Sequence, residues 1–188
     1  EKLIQFIDYL YQSLANQKPL VFKNAWNCFR IKFLSEVFRN ACFLWIRRDL
    51  ADSAYSDLQA RRKRGGPAVW NSATTGNYKE IQKLPYWEQV VEQQYTYTNR
   101  ISNDLSSLLP ERYCQVWYED LCENHSETIN ILRKFLIVKG YNFKSIDFPA
   151  NIKRSKNSNS RSNAEDKKRI LQHCEQSRFF KLRYHRNL

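Results

Sequence analysis

The sequence predicts an α/β fold: a three-layer parallel β-sheet with crossover helices, in a single domain over residues 1–188. Three observations carry this. The first 64 residues alternate helix, strand, helix, strand, helix, which calls for a parallel sheet with crossovers. Cys42–Ile46 is an unbroken apolar and aromatic run, suited to a strand covered on both faces. A further strand, Arg112–Trp117, runs into another amphipathic helix.

Taken in order, Lys2–Asn16 carries Leu3, Ile4, Phe6, Ile7, Leu10, Tyr11 and Leu14 at helical spacing, an amphipathic helix. Pro19–Phe22 reads as a short strand ending at Lys23-Asn24. Asn27–Phe38 reads as a second helix with Phe29, Phe33, Leu34 and Val37 facing inward. The Cys42–Ile46 strand ends in Arg47-Arg48. Asp49 then stands at a helix N-cap, with Asp52 in the first turn. Leu50, Ala54 and Leu58 give that helix its apolar stripe, while Asp49, Asp52 and Ser56 lie on a different face. Arg61 to Arg64 gather at its C-terminal end, and Gly65-Gly66 stop it.

Gly65–Tyr78 is rich in Gly, Pro, Ser, Thr and Asn and reads as a mobile loop. Tyr78–Leu109 reads as one helix, or two broken near Pro85, with an aromatic stripe that belongs to the core sooner than to an acceptor pocket. After the Arg112–Trp117 strand, Ser126–Leu136 is a helix with Ile129, Leu132, Phe135 and Leu136 inward. Asn151–Leu188 holds 11 Lys and Arg against 3 Asp and Glu. Within it, residues 151–163 read as a basic loop without core positions. Ala164–Cys174 follows as a last helix, and Phe179, Phe180, Leu182 and Tyr184 are expected to return to the core.

Composition limits the function. Hydrophobic residues at 42% and aromatics at 14% make a globular chain, long enough to bury a sizeable core. Lys and Arg number 31 against 19 Asp and Glu, a net charge of +12, so the partners are anionic: a nucleotide, a nucleic acid, a sulfated or phosphorylated substrate, or an acidic lipid. No run of about 18 apolar residues is present, so no membrane segment is expected, and no signal peptide is in view. Cys28, Cys42, Cys114, Cys122 and Cys174 are scattered without metal-ligand spacing. They imply reduced thiols, no metal, and an intracellular, cytoplasmic protein. The chain opens at Glu1 and holds no methionine. It therefore reads as lacking its N-terminal part, which leaves open a Golgi enzyme anchored upstream.

Arg48, between a strand and a helix, sits where open α/β sheets place anionic ligands. Ser56 follows eight residues later, about two helical turns on. A guanidinium and a hydroxyl so placed could grip one phosphate; the alternative is an arginine that only serves the fold.

At these residues the chain resembles the sulfotransferases that use 3′-phosphoadenosine-5′-phosphosulfate (PAPS). Their 3′-phosphate motif runs strand, Arg-Asp-Pro-x-Asp, then a serine eight residues after the arginine. Here the string is Arg48-Asp49-Leu50-Ala51-Asp52 with Ser56, leucine standing for the proline. Lys23-Asn24-Ala25-Trp26-Asn27 followed by Arg30-Ile31-Lys32-Phe33-Leu34 is similar to a second family block. Tyr118-Glu119-Asp120-Leu121 is similar to a third, which in the family mainly supports the fold. The resemblance covers roughly residues 18 to 140.

The resemblance implies a P-loop-NTPase-like sulfotransferase fold, present in part, and in-line transfer of a sulfuryl group from PAPS to a hydroxyl or amine, leaving PAP. It implies that Arg48 and Ser56 bind the nucleotide. It gives Lys23 the bridging oxygen, against the alternative of a solvated strand-end lysine. It makes Arg154, Lys156 and Arg161 candidates for closing over the 3′-phosphate, against a solvated basic linker. The Gly65–Tyr78 loop corresponds by position to a substrate-covering segment, or is a plain connection. The family's 5′-phosphosulfate loop is not found and is expected upstream of Lys23. His125, His173 and His185 match no family base position, so the general base is unknown. Two other readings stay open: a non-catalytic sulfotransferase-like scaffold, and a basic nucleic-acid-binding domain. The second lacks any helix-turn-helix, zinc or RNA-recognition string, so a nucleic-acid partner is not expected. The acceptor is open among carbohydrate, peptide tyrosine, lipid and small metabolite.

Overall fold

A computed structural model describes residues 1–14, 19–141 and 161–176. Its elements are α1 (Lys2–Tyr9, continued by a wider π-type turn over Leu10–Leu14), a 3₁₀ turn (Ala25–Phe29), α2 (Ile31–Val37), β1 (Phe43–Arg47) and α3 (Leu50–Lys63). Then come α4 (Tyr78–Ile81), α5 (Tyr86–Ser106), β2 (Tyr113–Trp117), α6 (Tyr118–Glu123), α7 (His125–Val138) and α8 (Arg161–Gln176). The chain is α/β, as expected, and among the described residues its sheet is β1 and β2 alone, paired in parallel from Phe43↔Tyr113 to Arg47↔Trp117.

The core lies between helices more than on the sheet. Ala54, Tyr55 and Leu58 of α3 pack with Val90 and Val91 of α5 and with Ile170 and Cys174 of α8. The Leu50–Ala54–Leu58 stripe thus does face inward, and Tyr86 and Trp87 at the start of α5 close its margin. Pro85 is the N-cap of α5, so the break in Tyr78–Leu109 falls where a missing N–H costs nothing. Of the aromatics of α5, only Tyr86 and Trp87 pack against this core, and Tyr95 and Tyr97 are half-buried outside it.

Several expectations are corrected. Pro19–Phe22 does not form a strand: no ladder pairs it, and Val21 is 91% exposed. Four apolar residues carry the composition of a strand, but among the described residues no strand edge pairs with them. β1 is not covered on both faces, because Leu44 and Ile46 are half-exposed. The predicted helix Asn27–Phe38 splits at Arg30 into the 3₁₀ turn and α2, and it buries Ile31 and Ser35 while Phe33 stays exposed. Asn24 caps the 3₁₀ turn instead, its Oδ1 accepting from Trp26 N–H at 2.9 Å. The α1 face of Leu3, Ile4, Phe6 and Tyr9 is exposed, although the helical periodicity is borne out. α8 begins at Arg161, so the last residues of the expected 151–163 loop are helical. Residues 142–160 and 177–188, with Arg154, Lys156 and the expected returning aromatics, lie outside the described residues.

Candidate functional site

The parallel register decides what meets at the carboxyl end of the sheet. Arg47 pairs with Trp117, so the next residues of each strand, Arg48-Asp49 and Tyr118-Glu119, leave the sheet at one level. One pair turns into α3 and the other into α6. The Arg47 guanidinium lies 4.9 Å from the Trp45 ring and 4.4 Å from the Trp117 ring, and donates to Gln115 Oε1 at 3.4 Å. The Arg48 guanidinium lies 4.8 Å from the ring of Tyr118. Its Nε is buried and has no hydrogen-bond partner.

Asp49 caps α3 as the sequence predicts: its Oδ1 accepts from Asp52 N–H at 3.0 Å. Its own N–H donates to Glu119 Oε1 at 3.1 Å, and Glu119 is 2% exposed. The third family-like block therefore touches the first directly. At the other end of the strands, Arg112 fixes where they begin. Its Nη2 donates to Phe38 O and Ala41 O at 3.0 Å each, and its Nη1 to Ser35 O at 3.2 Å. It thereby caps α2 and ties the turn into β1 to the start of β2.

Ser56 is half-buried on α3, about 10 Å along the helix from Asp49 by helical rise. It makes no direct hydrogen bond to Arg48. Lys23 is exposed in the irregular segment before the capped turn, not at a strand end. α8 runs antiparallel to α3. Asp166 near its start pairs with Arg62 at 2.5 Å, while Cys174 near its end packs in one cluster with Ala54 and Tyr55 of the first half of α3. The backbone of Arg161 consequently begins beyond the C-terminal end of α3, on the order of 20 Å from Arg48 by helical rise. Arg48 thus stands at the turn between β1 and α3 and Ser56 about two turns further along α3, while α8 starts from Arg161 at the opposite end of that helix.

The Gly65–Tyr78 loop is held rather than free. Arg61, on the continuation of the apolar stripe, is fully buried. Its Nε donates to Asp57 Oδ2 and its Nη1 to Gln89 Oε1, each at 2.9 Å, and its Nη2 donates to Gln93 Oε1. Trp70 lies over the guanidinium at 5.0 Å. Asn71 Nδ2 donates to Asp57 Oδ1 at 2.7 Å, Gln93 Nε2 donates to Asn71 O, and the Tyr97 hydroxyl donates to Ala73 O. The loop is thereby pinned to the C-terminal half of α3, away from Arg48. The Schellman closure that starts it, Gly66 N–H to Arg61 O and Gly65 N–H to Arg62 O, uses the positive φ of Gly65. Burial raises the pKa of Asp57 against the lowering effects of Asn71 and Arg61.

Other chemistry is constrained. Burial pushes the Cys28 thiol up to about 11 and the Cys174 thiol up to about 12, so both stay protonated at neutral pH and are poor nucleophiles. His173 is engaged by Glu92, at 3.0 Å, with its pKa raised chiefly by that hydrogen bond. Among the described residues no cluster of His, Cys, Asp and Glu could hold a metal ion, and no helix is long and apolar enough to cross a membrane. The sequence reading missed Glu119 as a site neighbour and Arg61 as a core residue. The i,i+4 pairs Asp57/Arg61 and Gln89/Gln93 were the available signal for the second.

With that geometry in place, comparison with known proteins gives one result. The model of the sulfotransferase family matches residues 2–141, about three quarters of the chain. No curated protein and no solved structure matches it.

Proposed function

We propose, since this chain belongs to the sulfotransferase family, that it transfers a sulfuryl group from PAPS to a hydroxyl or amine, and that the β1–α3 junction binds the 3′-phosphate. One observation carries the reading: Arg48, at the carboxyl end of β1, rests on an aromatic ring and not on a carboxylate, with its Nε buried and unpaired. A buried charged donor without an acceptor is costly, and a ligand that brings acceptor oxygens relieves that cost. A phosphate does so with charge-assisted, forked bonds. Ser56 offers a hydroxyl from the next turns of α3. The N-terminal end of α3 adds a favourable dipole, partly offset by Asp49 and Asp52.

In this reading β1 and β2 are neighbouring strands of a three-layer, P-loop-like sheet with the nucleotide at its carboxyl edge. Bound PAPS would supply the anhydride whose sulfur–oxygen bond breaks, with PAP as leaving group. The chain's own contribution is to hold and orient the nucleotide and to oppose its charge. Lys23 is the residue we assign to the bridging oxygen, and Arg154 and Lys156 to closure over the nucleotide. Arg161 is left out because its helix starts at the far end of α3.

The test is transfer of labelled sulfate from PAPS to a panel of carbohydrate, phenolic, peptide and amine acceptors, with Arg48→Ala beside it. Label moving to at least one acceptor, and far less of it with Arg48→Ala, supports the reading. PAP and PAPS failing to bind the full-length protein would overturn it.

A further inference from the structure

The bond between Asp49 N–H and Glu119 Oε1 joins two segments 70 residues apart in sequence. In a capping box the N-cap side chain serves the third helical residue, and that residue's side chain returns to the N-cap N–H. Here the first half is present, Asp49 Oδ1 accepting from Asp52 N–H. For the second, a carboxylate from the end of β2 accepts the N-cap proton. We infer that Glu119 is a positioning residue: it fixes the peptide that follows Arg48, and so sets the direction in which the guanidinium meets a phosphate.

Three features support this. Glu119 is 2% exposed, so its carboxylate cannot be a solvated surface charge. It arrives opposite Asp49 because the register pairs Arg47 with Trp117 two residues earlier in each chain. The neighbouring Tyr118 ring holds the Arg48 guanidinium from the same turn. A negative charge beside an anion site weakens anion binding by Coulomb repulsion. What Glu119 gives the site must therefore be geometry, with its oxygen acting as an acceptor and not as a charge. The inference rests on the reading of Arg48 above and adds what makes that arginine selective.

The experiment separates reach from charge. Glu119→Gln keeps the side-chain length and Oε1 as an acceptor; Glu119→Asp keeps the charge but falls one methylene short. Binding of PAP and of 5′-AMP is measured by calorimetry on the full-length wild type, both variants and Arg48→Ala, with a thermal midpoint for each. We expect Glu119→Asp to lose about tenfold of the preference for PAP over AMP, with AMP affinity nearly unmoved. Glu119→Gln keeps the preference within about threefold. A purely structural role would instead lower both affinities together, or lower the midpoints and leave the ratio alone; either result overturns the inference, as does Asp keeping the preference while Gln loses it. Should Glu119→Asp fail to fold, amide exchange at Asp49 decides. Equal protection in wild type and Glu119→Gln supports the inference, and lost protection in the Gln variant overturns it. A wild type that binds PAP and AMP alike defeats the reading of Arg48 itself. A wild-type preference that Arg48→Ala abolishes and Glu119→Asp leaves intact defeats only this inference.

Discussion

Replacing Arg61 by Met removes a fully buried guanidinium and strands the groups around it. Asp57 loses its ion pair, and Gln89 Oε1 and Gln93 Oε1 lose their donor. Removing one partner of a buried pair costs about 3–5 kcal/mol. Each orphaned amide oxygen would add about 1–3 kcal/mol if it found no water. These are not additive, and side chains next to the loop can relax, so about 3–5 kcal/mol at neutral pH is the expected loss. At about 2–4 °C per kcal/mol for a domain of this size, the melting midpoint falls by roughly 10 °C.

The sign of the pH dependence follows from Asp57. Burial already raises its pKa, and without Arg61 the carboxyl must be held neutral to remain inside. A carboxyl whose folded pKa exceeds its unfolded value binds its proton more tightly when folded. The deficit of Arg61→Met therefore shrinks as pH falls through that folded pKa. Urea unfolding of wild type, Arg61→Met and Arg61→Met/Asp57→Leu, at acidic and neutral pH, reads both effects. The double variant should recover part of the loss, because an apolar pair leaves no buried charge behind. A single-variant loss under about 1 kcal/mol, or a double variant less stable than the single, would show that the network does not hold the Gly65–Tyr78 loop in place.

Other outcomes follow from the same contacts. Arg112→Ala should lose about 2–3 kcal/mol by urea unfolding, since charge-assisted bonds to the carbonyls of Ser35, Phe38 and Ala41 go with it. Arg112→Lys should recover little of this, because one ammonium cannot fork to three carbonyls. The His173–Glu92 bond raises the pKa of His173 above its ordinary 6.5. Its stabilisation is complete below about pH 6.5 and is lost as pH rises through the raised value. The difference in melting midpoint between wild type and His173→Gln should accordingly narrow as pH rises across that window, and a difference that widens would contradict the assignment.

The β1–α3 segment was the most legible part of the sequence because its signals are local. An unbroken apolar run, Asp49 at the cap, the stripe of Leu50, Ala54 and Leu58, and the Gly65-Gly66 stop all act within a few residues. The break at Pro85 was legible for the same reason. What failed depended on distant partners. Leu44 and Ile46 look buried until one sees that β1 pairs with β2 alone among the described residues. Pro19–Phe22 has the composition of a strand but no edge to join. In the sequence Arg61 is one of four basic residues gathered at a helix end, and only the arrival of Gln89 and Gln93 from α5 makes it a core residue. In the candidate site, Arg48 and Ser56 could be named from spacing. Glu119 could not, since its contact requires the strand register, which local pattern does not carry.

The most direct measurement is calorimetric binding of PAP and 5′-AMP to the wild type and to Arg48→Ala. If Arg48 grips the 3′-phosphate, the wild type binds PAP much more tightly than AMP. Arg48→Ala then weakens PAP about 30-fold, roughly 2 kcal/mol, and leaves AMP nearly unchanged. Equal binding of PAP and AMP by the wild type, or an equal loss of both in Arg48→Ala, would place the 3′-phosphate elsewhere and leave the buried Nε of Arg48 without a ligand to explain it.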